Sequence, residues 1–216
     1  MYLTWDEKTI TDCSEKNINS LYESGYLFTR EGKGKMYQTR SLRIDLNKFE
    51  LSSENRRVLK KTEGLNLSVA ALPYPDYIWS IGKLGKDFYE TKFGLKTFSA
   101  NKIKELLTDE IKSNFNRLLI YSLNNNPIGY CVCIETDKIL HYCYPFYNLD
   151  SKISSLGLGM MTEAVVWAKK NNKRYIYLGS AQRPTDTYKL QFEGLEWFDS
   201  QTWQTDLEVL KNILKT

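Results

Sequence analysis

Apolar and polar positions follow two rhythms along this chain, and the changes of rhythm set the expected order of elements. Residues 12–24 carry a helical spacing that opens near Asp12 and is closed by Gly25. Tyr26–Arg30 and Met36–Asp45 alternate as strands, joined by a Gly32-Lys33-Gly34 turn. Ser52 or Ser53 caps a short basic helix running to Lys61, and Val69–Leu72 is apolar enough for a buried strand. Helices are predicted at 76–93 and 100–107, the second with Ser99 as its cap.

The second half is more regular. Arg117–Leu123, Pro127–Glu135 and Lys138–Phe146 read as three consecutive antiparallel strands, turned by Asn124-Asn125-Asn126 and by Asp137. Ser151–Asn171 reads as a long amphipathic helix with Leu156, Met160, Ala164, Val165 and Ala168 on one side. A strand at Arg174–Leu178, a helical turn near Thr187, a hairpin over Leu195–Trp203 and a helix from Asp206 complete the order. This predicts an α/β (α+β) fold, a mixed and mostly antiparallel sheet flanked by helices. The sheet is expected to splay where the glycine-led helix meets the strand before it. Residues 1–65 are expected as a basic N-terminal subdomain packed on a core of residues 66–216, in one compact unit.

Composition narrows the class. With 216 residues the chain is long enough for one sizeable core, and no apolar run reaches membrane-spanning length. The first residues, Met1-Tyr2-Leu3-Thr4-Trp5-Asp6-Glu7, lack the basic start and apolar stretch of a secretory signal, so a cytoplasmic location is expected. Cys13, Cys131, Cys133 and Cys143 with the lone His141 make a poor metal set, and the thiols are expected to be reduced and structural. The net charge of +4 is mild but unevenly placed. Arg30, Lys33, Lys35, Arg40, Arg43, Lys48, Arg56, Arg57, Lys60 and Lys61 crowd the first third, which would attract a phosphate backbone or the acidic end of a protein.

Ser154-Ser155-Leu156-Gly157-Leu158-Gly159 stands at a helix start, where backbone N–H groups and the helix dipole favour an anion. Tyr144-Pro145-Phe146-Tyr147-Asn148-Leu149-Asp150 precedes it. Tyr175-Ile176-Tyr177-Leu178-Gly179, then Tyr188-Lys189-Leu190-Gln191-Phe192 and Leu195-Glu196, follow. Upstream lies Phe49-Glu50-Leu51-Ser52-Ser53-Glu54-Asn55-Arg56-Arg57. In this order the segments resemble those of the arginyl-tRNA–protein transferases and their bacterial leucyl-transferring relatives, over most of residues 25–200. The resemblance implies a GNAT-like acyl-transferase fold and an aminoacyl-tRNA–protein transferase. Such an enzyme needs charged tRNA as co-substrate and protein or peptide N-termini as acceptors, with no other cofactor and no metal. The family's Cys-x-x-Cys cluster is replaced here by Met36-Tyr37-Gln38-Thr39-Arg40, so metal or redox sensing there is not expected. Ser53 and Ser180-Ala181 also depart from the family pattern.

The resemblance assigns candidate catalytic roles to Tyr147, Tyr188 and Lys189, and tRNA or substrate binding to Arg56, Arg57, Gly157 and Gly159. Lys189 would meet anionic charge, while the tyrosines would relay a proton or stack on a base. The arginines would hold phosphate or an acidic acceptor side chain. Other readings stay open. A GNAT acetyltransferase would use the same glycine turn for coenzyme A, with Ser154 where those enzymes place Arg or Gln. A non-catalytic module would bind acidic N-termini or RNA without turnover. For the single residues, core tyrosines, a solvated arginine face, glycines kept for packing and Glu163 as a surface carboxylate are the plain alternatives.

Overall fold

The computed structural model describes residues 3–215, so the reading of Met1 and Tyr2 lies outside the described residues. A first strand, β1 (Asp6–Thr9), is followed by α1 (Glu15–Glu23), β2 (Tyr26–Phe28), β3 (Lys35–Gln38) and β4 (Ser41–Asp45). Then come α2 (Ser53–Lys61), β5 (Leu65–Ala71), α3 (Trp79–Phe93) and α4 (Ala100–Thr108). The three-strand run is β6 (Arg117–Leu123), β7 (Asn126–Glu135) and β8 (Ile139–Tyr147), followed by α5 (Leu156–Lys170) and β9 (Tyr175–Ser180). A 3₁₀ segment (Pro184–Gln191), β10 (Leu195–Phe198), β11 (Trp203–Gln204) and α6 (Leu207–Lys215) end the order.

Serine hydroxyls open three of these helices: Ser14, Ser52 and Ser99 accept from the N–H groups of Asn17, Asn55 and Lys102. Each satisfies a donor that the helix itself leaves unpaired, worth about 1 kcal/mol. Eight strands form the main sheet in the order β11-β10-β4-β9-β8-β7-β6-β5, and β1-β3-β2 form a small sheet. Every pairing in the main sheet is antiparallel except β8 with β9. On one face α5 and α6 bury Met160, Ala164, Val165 and Leu210 against Leu42, Leu140 and Ile176. On the other, α1, α3 and α4 bury Tyr22, Phe88 and Ile103 against Val132, Phe146 and Tyr177. Full burial of each large apolar side chain contributes roughly 1.5–3 kcal/mol, so the helices are held by both faces.

The element order and fold class agree with the sequence expectation, with several local corrections. The single strand expected over Met36–Asp45 is two strands in two sheets. The chain turns at Arg40, where Ser41 N–H bonds back to Thr39 O at 2.6 Å. Val69–Leu72 is not a buried strand: β5 is the edge of the sheet, and Val69 is 36% exposed. The helix expected from Ser151 starts at Leu156, because Ser155 takes a left-handed conformation (φ 64°) that helical backbone does not continue through. Nor does the main sheet respect a division at residue 65, since β4 lies inside it between β10 and β9.

Candidate active site

The parallel seam between β8 and β9 is short. Ile139, Leu140 and His141 pair with Tyr175, Ile176 and Tyr177, and there the pairing stops although both strands run on. One residue beyond His141 the β7–β8 register shifts, leaving Cys143 as the extra residue of a bulge. A bulge bends its strand and increases local twist, which carries β8 away from β9. Past His141, β8 therefore has a strand partner on only one edge, and the sheet opens into a cleft at the C-terminal end of β9. This is the splay expected from the sequence.

Helix α5 begins at the mouth of that cleft without a side-chain cap. Among the described residues, the N–H groups of Leu156, Gly157 and Leu158 have no acceptor, whereas Gly159 N–H is bonded to Ser155 O at 2.9 Å. Gly159 therefore cannot offer its N–H to an anion as the sequence reading supposed, since the first full helical turn already uses it. Its missing side chain serves packing instead: a Cβ there would collide with Thr62 at the end of α2. A Cβ on Gly157 would stand 2.9 Å from the ring of Tyr147. The glycines thus let α5 sit close to α2 and to β8, and the free donors are the three N–H groups ahead of Gly159.

Tyr147, Tyr188 and Lys189 are brought together around the cleft. Tyr147 ends β8, packs 4.7 Å from the Phe88 ring centroid, and has its hydroxyl pushed up by burial. Tyr188, on the 3₁₀ segment, is 48% exposed as a residue, and desolvation by burial pushes its hydroxyl up to about 12. Asp186 and the nearby Tyr147 add to that shift. Both phenols are therefore protonated at neutral pH and act as donors. Lys189 Nζ donates to Ser180 O at 2.8 Å and lies 3.6 Å from Asp186. Burial holds its pKa below the usual lysine value, opposed by Asp186.

At the apex of the cleft, His141 is buried and held neutral, its pKa lowered to about 3 by burial and by the charge of Lys189. The Tyr22 hydroxyl accepts weakly from Phe28 N–H and shares a hydrogen bond with His141 Nδ1 at 2.9 Å. On the α3 side, Arg183 from the loop after β9 lies 5.7 Å over the Phe93 ring. The sequence reading missed Arg183 and Phe93, because neither sits in a motif and their encounter is made only by the fold. Two surface hollows, of about 400 and 480 Å³, lie elsewhere, one beside Lys48, Gln191 and Glu196 and the other beside Lys169 and Arg174.

Arg56 and Arg57 stand apart from the cleft. Both are exposed on α2, which packs along α5 through its C-terminal end. Arg57 forms a two-pronged pair with Glu54, with Nε to Oε2 at 2.7 Å. Arg56 has no ion pair among the described residues and is available to a large anionic partner. Much of the N-terminal basic cluster is internally neutralised: Lys35 pairs with Glu7 and Glu31, Arg43 with Glu23 and Glu196, and Lys48 with Glu196.

The layout of a mixed sheet, parted beside an uncapped glycine-led helix, is that of a GNAT-like fold. Among solved structures, L-PGS from Bacillus licheniformis shares this fold at a TM-score of 0.50 and 11% identity, over 94% of this chain and 71% of that one. A GCN5-related glucosamine N-acetyltransferase region of a fungal multi-domain β-N-acetylglucosaminidase does so at 0.50 and 8%, over 91% and 23%. Residues 74–199 match the family described as arginine-tRNA-protein transferase, C terminus, and the chain belongs to that family of aminoacyltransferases. Curated relatives include the aspartate/glutamate leucyltransferases of Saccharophagus degradans, 22% identical over 76% of this chain and 70% of that protein, and of Dinoroseobacter shibae, 25% identical over 76% and 61%. Tyr147, Gly157, Tyr188 and Lys189 all fall inside the matched segment; Arg56 and Arg57 precede it. Among the described residues no helix is long and apolar enough to cross a membrane.

Proposed function

We propose that the chain moves an amino acid, leucine or arginine, from charged tRNA to the α-amine of an acceptor protein whose first residue is Asp or Glu. Charged tRNA is the only co-substrate required. The observation that carries this reading is the cleft between β8 and β9, lined by Tyr147, Tyr188 and Lys189, in a chain of this family. The names of the curated relatives favour leucine.

An aminoacyl ester is already activated, so the acceptor's neutral amine needs mainly to be held against the ester carbonyl. The C–N bond forms, the bond from the carbonyl carbon to the ribose oxygen breaks, and the amine's proton ends on that oxygen. Negative charge develops on the carbonyl oxygen, which Lys189 and the free N–H groups of α5 would meet. Tyr147 and Tyr188, protonated at neutral pH, are suited to deliver the proton to the leaving oxygen or to stack on the terminal base.

Transfer of labelled leucine or arginine from charged tRNA to peptides differing only in their first residue tests the reading. Lys189→Met is expected to lower kcat by about ten- to a hundredfold, the scale of losing one charge-stabilising donor or slightly less. No transfer from any charged tRNA, together with a coenzyme A thermal shift that Gly157→Glu abolishes, would replace it with an acetyltransferase. Salt-sensitive binding of peptide or tRNA without turnover would leave a recognition module.

A further inference from the structure

Among the described residues, Arg40 is a cation without a counter-charge. It sits at the tight turn between β3 and β4, with Nε buried and lacking any hydrogen-bond partner. Nη1 reaches only Ala181 O, at 3.4 Å, and no carboxylate among the described residues lies within ion-pair distance. Burial lowers its pKa with no charged neighbour acting against it. A half-buried guanidinium normally has its donors satisfied by a carboxylate or by carbonyls. Arg30, also half-buried, donates to Thr97 O at 2.7 Å and lies over the Phe98 ring.

The surroundings fix Arg40 in place. Arg40 O accepts from Ala181 N–H at 2.9 Å. The Gln182 side chain bonds to Thr39, Ser180 and Leu3, tying the turn to the end of β9. Lys189 Nζ and Arg40 Nη1 thus contact successive carbonyls, Ser180 and Ala181, at the C-terminal end of β9 where the cleft opens. Lys189 is compensated by Asp186; Arg40 is not.

We propose that Arg40 is the anchor for the acidic side chain of the acceptor's first residue, so that selectivity for Asp or Glu over their amides resides there. The proposal rests on the transferase reading for its substrate, and places the acceptor on the β4 side of the cleft. The terminal edge of the guanidinium, Nη2 with the second Nη1 hydrogen, matches a carboxylate in two-pronged fashion, which an amide cannot reproduce.

Binding of short fluorescein-labelled peptides beginning with Asp or Asn, measured by fluorescence anisotropy without tRNA, tests Arg40 separately from turnover. The wild-type chain is expected to bind the Asp peptide about ten- to a hundredfold more tightly, the scale of a charge-assisted hydrogen-bond pair. Arg40→Gln should erase that ratio and leave the thermal midpoint within a few degrees; Arg40→Lys should restore part of it. A preference that survives in Arg40→Gln, or no preference in wild type, overturns the assignment. So does a rise in KM for charged tRNA instead of peptide, which would make Arg40 a phosphate contact. Selective peptide binding that Arg40→Gln abolishes, with no transfer in wild type, keeps the anchor and removes the transferase reading.

Discussion

Two arginines three residues apart, Arg40 and Arg43, show how one strand and its preceding turn separate structural charge from available charge. Arg43 is 4% exposed and saturated. Its Nε and Nη1 bond Glu196 and Glu23, each at 2.8 Å, and its guanidinium lies between the rings of Tyr175 and Trp203 at 4.0 and 3.9 Å. Arg40 and its neighbour Lys189 stand where β9 ends, with fewer partners and pKa values that burial lowers. Burial of a charge is costly unless it is paired, and the pairing is complete in one neighbourhood and partial in the other. The difference marks which region is held rigid by its own contacts and which has bonding capacity left for a substrate.

The largest expected effect is on the saturated side. Arg43→Met removes the buried partner of Glu196, itself 8% exposed, leaving it only the more exposed Lys48, and should lower unfolding free energy by about 3–5 kcal/mol in denaturant titrations. Adding Glu196→Gln should recover part of that loss; equal destabilisation in the double variant would deny that the stranded carboxylate is the cause. Next comes His141, which lies between the two regions. Its folded pKa of about 3 is below the unfolded value, so the unfolded chain binds a proton that the folded chain refuses. Stability should therefore fall as pH drops from about 6.5 towards 3, by about 3 kcal/mol at pH 4, and His141→Phe should flatten this limb. The smallest effect is on Lys189. Lys189→Met should leave stability within about 1 kcal/mol, since Asp186 keeps the backbone N–H groups of Gln182 and Arg183 as donors, and should raise the titration point of His141. His141 is the sole histidine, so its ring proton resonances report this without assignment. A Lys189 variant as unstable as the Arg43 one would erase the distinction between the two regions.

Much of the fold was legible because its elements carry strong periodicity. The β6–β8 run and α5 bury whole faces, and three serines signal helix starts that the structure uses. Strand β1 was not legible: all four residues are exposed, so no apolar alternation announces it. The break at Arg40 was also hidden, because both flanking segments read as strand while the sheet each joins is decided by distant partners. At the site, the motif carried Tyr147, Tyr188 and Lys189 to one cleft. It could not show that Gly159 N–H is used within the helix, or that Arg57 is neutralised by Glu54 on its own helix. Those outcomes depend on side-chain geometry that spacing alone does not encode.

The place of β4 in the sheet also bears on how the chain acquires its shape during synthesis. Residues 41–45 pair with 175–180 and with 195–197, so neither neighbour exists until most of the polypeptide has left the ribosome. Contacts of such sequence separation close late and fold slowly. The early-made strand, bearing Leu42 and Ile44 that end fully buried, must stay unpaired in the meantime, an apolar segment open to chaperones until the last fifth of the chain arrives to enclose it.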